Sequence, residues 1–386
     1  MKSHDLLRLL AKYSFSNKEI QYIKGITREK LLECDWKWIF DTSNHHRIAP
    51  LLYYNFKRSG ILRYLPKKTL NDFQNNFSLH TLRFNSYKKE ITPLLKKFRE
   101  IKKDVYLIKG IDTVNRVYNN SFPRPFGDTD FVIKKKDIKN ILMIMNDSGY
   151  KESIGGTSKK RPSSAKSFFY QNLSGHTRFV KSSNLPFNPD FIIEFHHSYT
   201  VPYIKRSKHQ ELDIDLFTLL PFSKQIPFFK TSYKGLSLKN VYFFKLISLY
   251  RDIMNYTHVT KIKDIKIMNI ADLFELSKKI KPAVLYKGQN HEIKEILSFS
   301  INIVKYFYAT GSADIIINKK DMTFLKNCLQ IKLNVSSPKK IREAILKRVF
   351  RTNNRNVSLS FYKDIYTYRI ERLNNIAKYV KRIIHT

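Results

Sequence analysis

VYLIKGIDTVNRVYNNSFPRPFGDTDFVI, residues 105–133, is the stretch from which the fold follows. Val105 to Ile108 is a short apolar run dominated by β-branched and aromatic residues, which predicts a buried strand. Lys109-Gly110 ends it. From Ile111 to Tyr118 the apolar positions Ile111, Val114, Val117 and Tyr118 recur at helical spacing. Asn119 to Pro123 is rich in turn formers and breaks that helix. After Gly127 come Asp128-Thr129-Asp130 and then Phe131-Val132-Ile133, strand-like again. Carboxylates at i and i+2 on a strand project from one face, about 6–7 Å apart at Cα. Two such charges on a half-buried sheet repel unless a cation lies between them. Hard oxygen donors of this kind suit Mg2+, which shares its shell with substrate phosphates. A glycine at the mouth of the preceding helix lets a phosphate approach backbone N–H groups. Strand, glycine, helix and a strand carrying Asp-x-Asp therefore predict a site for a metal and a nucleoside triphosphate.

The same residues carry a resemblance. Lys109-Gly110, then Arg124-Pro125-x-Gly127-Asp128-x-Asp130, an apolar strand and Gly149-Tyr150 resemble the signature of the uncharacterised nucleotidyltransferase family within the DNA polymerase β-like superfamily. The resemblance spans roughly residues 30 to 280. It implies an α+β fold: a polymerase β-like nucleotidyltransferase core, a small mixed sheet with helices, flanked by N-terminal and C-terminal helical regions. It also implies a third carboxylate on a later strand, and Phe191-Ile192-Ile193-Glu194-Phe195-His196-His197 fits, with Glu194 as the acid and His196 as the family's histidine. Asp128, Asp130 and Glu194 are then the expected catalytic and metal-binding residues. Lys109, Gly110, Arg124, Gly127 and His196 are expected to bind the nucleotide, His196 either as a partner of the acidic residues or as a phosphate contact. Mg2+ is the implied cofactor, with Mn2+ as the alternative. Where the superfamily usually carries Gly or Ser after the first glycine, this chain has Ile111, so a hydroxyl contact to phosphate is missing.

The composition sets limits around that core. With 386 residues, 42% of them hydrophobic, the chain is long enough to bury a sizeable core and is not a disordered polymer. Cys34 and Cys328 are its two cysteines, isolated from each other, so neither a disulfide framework nor a zinc cluster is expected and a reducing cytoplasm fits. The amino terminus lacks the pattern of a signal peptide, and no apolar run is long enough to span a membrane. The net charge of +39 implies attraction to polyanions, RNA among them. Enrichment in Lys, Ile and Asn through low-GC coding would produce the same number.

Along the chain, four regions are expected: a helical N-terminal region over 1–100, the catalytic core over 101–200, a helical continuation over 201–281 and a basic helical region over 282–386. In the first, Ser16 to Glu19 has the form of a capping box. A long helix over Leu70 to Arg99 carries an apolar stripe, and His45-His46 point too far apart on a helix to pair on a metal. Residues 155–164 form a polar, basic loop that either grips phosphate or is an ordinary loop. Asp272 on a late helix either orients a base or an arginine or, as the safer reading, is a surface carboxylate. At the end, Arg369, Arg372, Lys378, Lys381 and Arg382 alternate with Tyr366, Tyr368 and Tyr379, a combination suited to nucleic acid or to plain helix packing.

The expected activity is transfer of a nucleoside monophosphate from a nucleoside triphosphate to an acceptor hydroxyl, on a small molecule, a peptide or protein, or RNA. Two rivals stand beside it. One is a metal-dependent glycosyltransferase, which also uses Asp-x-Asp but places it after a nucleotide-binding βα domain. The other is a non-catalytic basic protein that binds nucleic acid on the same scaffold.

Overall fold

The computed structural model describes residues 1–101, 103–153, 175–185, 188–205, 208–214, 224–255, 258–259, 265–308, 324, 328 and 338–350. The basic loop 155–164 and the C-terminal basic helix with its tyrosines lie outside them. The described residues form a mixed α+β fold in two compact units, each discontinuous in sequence.

The first unit takes residues 1–84, 116–125 and 242–362 and is helical. Its helices are α1 (Ser3–Leu10), α2 (Asn17–Lys24), α3 (Arg28–Leu32), α4 (Trp36–His45) and α5 (Ala49–Ser59), then the first half of the 34-residue α6 (Lys67–Glu100). The local reasons are visible in the caps. Ser16 accepts from the Glu19 backbone N–H while Glu19 accepts from that of Ser16, so the expected capping box opens α2. Asp35 accepts from the backbone N–H of Trp38 at 2.8 Å and starts α4. Pro50 sits in the first turn of α5, and Gly60 closes it at φ 75°. Leu6, Leu10, Ile39, Leu51, Leu52, Phe56 and Phe73 are fully buried here.

The second unit takes residues 85–115, 126–241 and 363–386, and holds the sheet. Its strands are β1 (Val105–Ile108), β2 (Thr129–Ile133), β3 (Lys151–Glu152), β4 (His176–Leu185), β5 (Asn188–His196), β6 (Tyr199–Lys205), β7 (Lys208–Ile214), β8 (Gln225–Phe228) and β9 (Thr231–Gly235). Helix α7 (Gly110–Arg116) follows β1, and α8 (Ile138–Asp147) follows β2. Seven strands form one mixed sheet in the order β3-β4-β5-β2-β1-β9-β8, while β6 and β7 pair separately. β2 runs antiparallel to β1 and parallel to β5.

Alternation along the strands divides this sheet into two chemistries. Phe131 of β2 stacks on Phe195 of β5 at 5.2 Å between ring centroids, and Phe179 of β4 meets Phe195 edge-on. Phe98, from the last turns of α6, packs against both Phe131 and Phe195. These rings form the buried layer under one face. Asp130, Glu194 and Arg178 occupy the alternate positions and so share the opposite face.

After β9 the chain is helical again, with α9 (Leu238–Met254), α10 (Ile267–Lys279), α11 (Ala283–Tyr286), α12 (His291–Tyr308) and α13 (Pro338–Val349). Where a helical continuation was expected over 201–281, the described residues up to Gly235 instead form two antiparallel strand pairs, β6 with β7 and β8 with β9. The alternating Tyr199, Val201 and Tyr203 mark a strand, but Pro202 between them weakens the signal. β8 carries Pro227 at the sheet edge, where a missing N–H is tolerated, and its turn is made by Phe229 at φ 52° rather than by Gly or Asn.

Candidate active site

The register of three strands builds the site. Asp130 on β2 lies beside Glu194 on β5, which lies beside Arg178 on β4. In the next row of the same face, Val132 lies beside His196 and His196 beside His176. The carboxylates of Asp130 and Glu194 and the imidazole of His196 each offer a ligand atom within 4.8 Å of the others. His196 Nε2 is 2.8 Å from Asp130 Oδ1 and 3.8 Å from Glu194 Oε2. Asp130 and His196 are buried, and Glu194 is nearly so.

The electrostatics are those of a site short of positive charge. Burial pushes the Asp130 carboxyl upward, but the Lys109 ammonium, 3.3 Å away, and the His196 hydrogen bond outweigh it and hold the group ionised, well below its usual value. Glu194 moves the other way, to about 7, through burial and then the charges of Asp130 and Asp128; Lys109 and Arg178 offset only part of this. Arg178 Nε stands 3.7 Å from Glu194 Oε1. His196 falls to about 3, chiefly through burial and then the Lys109 charge, so its ring is neutral at neutral pH. An ionised Asp130 beside a Glu194 that resists ionisation is the signature of a site that would gain from a divalent cation. Two carboxylates and a neutral imidazole fit one.

Asp128 lies just before β2 and is half-buried, close enough for its charge to raise Glu194 but outside the three-residue group. Lys109 has φ 55° and Gly110 φ 24°, so the strand-to-helix turn uses left-handed backbone at two consecutive residues. A Cβ on Gly110 would meet the Asp128 carbonyl oxygen at 3.3 Å. This glycine therefore serves the close approach of the chain carrying Asp128. Gly127 has open space where a side chain would project, and its carbonyl accepts from Tyr87 Oη at 3.1 Å.

Arg124 requires a correction. The sequence expectation gave it to the phosphates, whereas it belongs to the helical unit, buried, with Nε and Nη2 donating to Asp272 at 2.7–3.1 Å. Asp272 in turn is no surface carboxylate. It is fully buried on α10 and also accepts from Lys245 Nζ and Tyr118 Oη, each at 2.7 Å. Burial raises its pKa, but Arg124 and Lys245 more than reverse that and hold it below the ordinary value.

Sequence reasoning passed over three neighbours of the site. Arg178 and His176 share the acidic face through a His-x-Arg alternation that opens β4, and such alternation was the signal available. Tyr199, at the start of β6, lies under the Lys109 ammonium at 5.8 Å and 6.2 Å from the His196 ring.

A mixed sheet that presents paired carboxylates and a histidine beside a strand-glycine-helix turn has the form of a nucleotidyltransferase core. The chain belongs to the family of uncharacterised nucleotidyltransferases, whose model matches residues 33–308. No curated protein and no solved structure matches it. The family implies a nucleoside triphosphate substrate. Among the described residues, no helix is long and apolar enough to cross a membrane.

Proposed function

We propose that this chain is a divalent-metal-dependent nucleotidyltransferase that moves a nucleoside monophosphate from a triphosphate to an acceptor hydroxyl. The observation that carries the reading is the side-by-side register of Asp130 and Glu194 on β2 and β5, with His196 in reach of both. Asp130, Glu194 and His196 would hold the metal, Mg2+ or Mn2+, and Asp128 would add its charge where the nucleotide phosphates arrive. When bound, the ion would supply charge neutralisation for the phosphates and lower the pKa of the attacking hydroxyl.

The chain's own groups do the rest. Lys109, held at the same carboxylate, neutralises charge as it builds on the phosphate oxygens. Gly110 lets the strand-to-helix turn lie close against the Asp128 backbone, where a side chain would not fit. The acceptor O–H gives its proton toward Glu194, the freed oxygen bonds to the α-phosphorus, and the bond to the bridging oxygen breaks to release pyrophosphate.

The test is mass spectrometry of small-molecule, peptide and RNA acceptors after incubation with each triphosphate and a divalent cation. Gain of a nucleoside monophosphate supports the proposal. Turnover of a sugar nucleotide instead would favour the glycosyltransferase, and RNA binding without any transfer would favour the non-catalytic scaffold.

A further inference from the structure

From the place of Arg178 in the sheet, we infer that the acceptor is an anion: the molecule bearing the hydroxyl also carries a phosphate or carboxylate close by, and Arg178 holds that group. The inference rests on the nucleotidyltransferase reading above and goes further, since it names the chemical class of the acceptor and the side from which it enters.

The sheet order places β1 and β4 on opposite sides of the β2-β5 pair. Lys109 and the Gly110 turn, which would take the departing pyrophosphate, lie on the β1 side. In phosphoryl transfer the attacking and leaving oxygens stand roughly in line through the phosphorus. An acceptor opposite that turn therefore comes in over Glu194 from the β4 side. Arg178 stands there, beside Glu194 in register and two strands from Asp130, roughly 10 Å by strand spacing. The two cations flank the carboxylate pair: Lys109 Nζ is 3.3 Å from Asp130 Oδ1, and Arg178 Nε is 3.7 Å from Glu194 Oε1.

The Arg178 guanidinium suits an oxyanion. Its side chain keeps 25% of its surface exposed, so an incoming group can reach it. Nε is closed to solvent, and among the described residues nothing accepts a hydrogen bond from it. The 3.7 Å approach to Glu194 is an ion pair too long for one. A buried N–H without an acceptor is costly, and a guanidinium presents its donors as a planar fork matched to phosphate or carboxylate. Lys151, exposed on β3, pairs with Val180 in register and so projects on the same face, adding a second positive charge. The face thus changes from acidic over β2 and β5 to basic over β4 and β3. A cationic acceptor would be repelled there, and a neutral one would leave the fork unfilled.

The experiment gives the full chain nucleoside triphosphates labelled at the α-phosphate, a divalent cation and matched acceptors. These are glycerol, glycerol phosphate and glycerate; ribose and ribose phosphate; choline; and an RNA oligonucleotide with a free terminal hydroxyl. Transfer to anionic acceptors, with kcat/KM about tenfold or more above their neutral counterparts, is the expected result. Comparing RNA with the small anions then separates the two sources of the charge. Arg178→Gln should raise the acceptor KM about tenfold or more and leave the triphosphate KM unchanged, and Arg178→Lys should restore part of the loss. Should Arg178→Gln not fold, the wild-type acceptor comparison decides. Equal transfer to neutral or cationic acceptors overturns the inference and leaves the transferase reading standing. So does an Arg178→Gln effect on the triphosphate KM, or a fall in kcat alone, which would make Arg178 only a support for Glu194. Pyrophosphate release with no label on any anionic acceptor also overturns the inference alone. Neither release nor transfer overturns both.

Discussion

Replacing Glu194 with Gln separates what the site does for the fold from what it does for a cation. Glu194 is pushed from an ordinary glutamate value of 4.5 to about 7 by burial and by the charges of Asp130 and Asp128. A folded pKa above the unfolded one means the contribution is complete below about pH 4.5 and is lost as the pH rises through 7. At roughly 1.4 kcal/mol per pH unit, ionising Glu194 costs the metal-free fold up to about 3 kcal/mol. Gln keeps the shape and cannot ionise. In urea titrations with chelator present, Glu194→Gln should therefore equal the wild type at pH 4.5 and exceed it by up to about 3 kcal/mol at pH 8.5. With Mn2+ added at pH 8.5 the order should reverse, since the wild type gains a ligand-linked stabilisation that the variant lacks. A stability difference between the two proteins that does not change with pH would refute the electrostatic reasoning. So would a metal-free wild type that is the more stable protein at pH 8.5.

Other expectations follow from single contacts. Asp272→Ala leaves the buried charges of Arg124 and Lys245 without their carboxylate and should cost about 3–5 kcal/mol in chemical denaturation. Because Asp272 is held below its ordinary value, wild-type stability from this group is present above pH 3.8 and is lost as pH falls further; an acid titration of Asp272→Asn should lack that component. Gly110→Ala forces a side chain onto left-handed backbone and against the Asp128 carbonyl, so it should lose about 1–3 kcal/mol and weaken metal binding, read by thermal shift with Mn2+. Ser16→Ala breaks the capping box of α2 and should cost about 1 kcal/mol with no effect on metal binding.

The parts of the fold that local chemistry dictates were legible in the sequence. The strand at Val105–Ile108, the Asp-x-Asp segment leading into β2, the capping box at Ser16 and the long α6 each carry their own signal in period or cap. The strand pairs β6-β7 and β8-β9 do not, because their prolines sit on edge or isolated strands and the β8-β9 turn lacks the usual glycine. At the site, the i, i+2 spacing pointed to Asp128 and Asp130, whereas Glu194 came from the family resemblance and not from spacing. His196 was legible as a residue of interest, but its place beside Asp130 depends on the parallel pairing of β2 with β5, which one-dimensional spacing does not contain. Arg124 shows the converse. Its neighbours in the sequence are the acidic motif, yet its charge is spent on Asp272, 148 residues away in the chain. An arginine's partner is chosen by whichever carboxylate is buried with it, and burial is a property of the tertiary fold.

The central claim is that Asp130 and Glu194 jointly hold a cation that nucleotidyl transfer requires. Its most direct measurement is pyrophosphate release from nucleoside triphosphate, compared among wild type, Asp130→Asn and Glu194→Gln in the same folded preparations with and without divalent cation. The account predicts release in the wild type only with the cation, and none above background in either variant. Release that continues undiminished after either replacement, or that proceeds equally well in chelator, would contradict it.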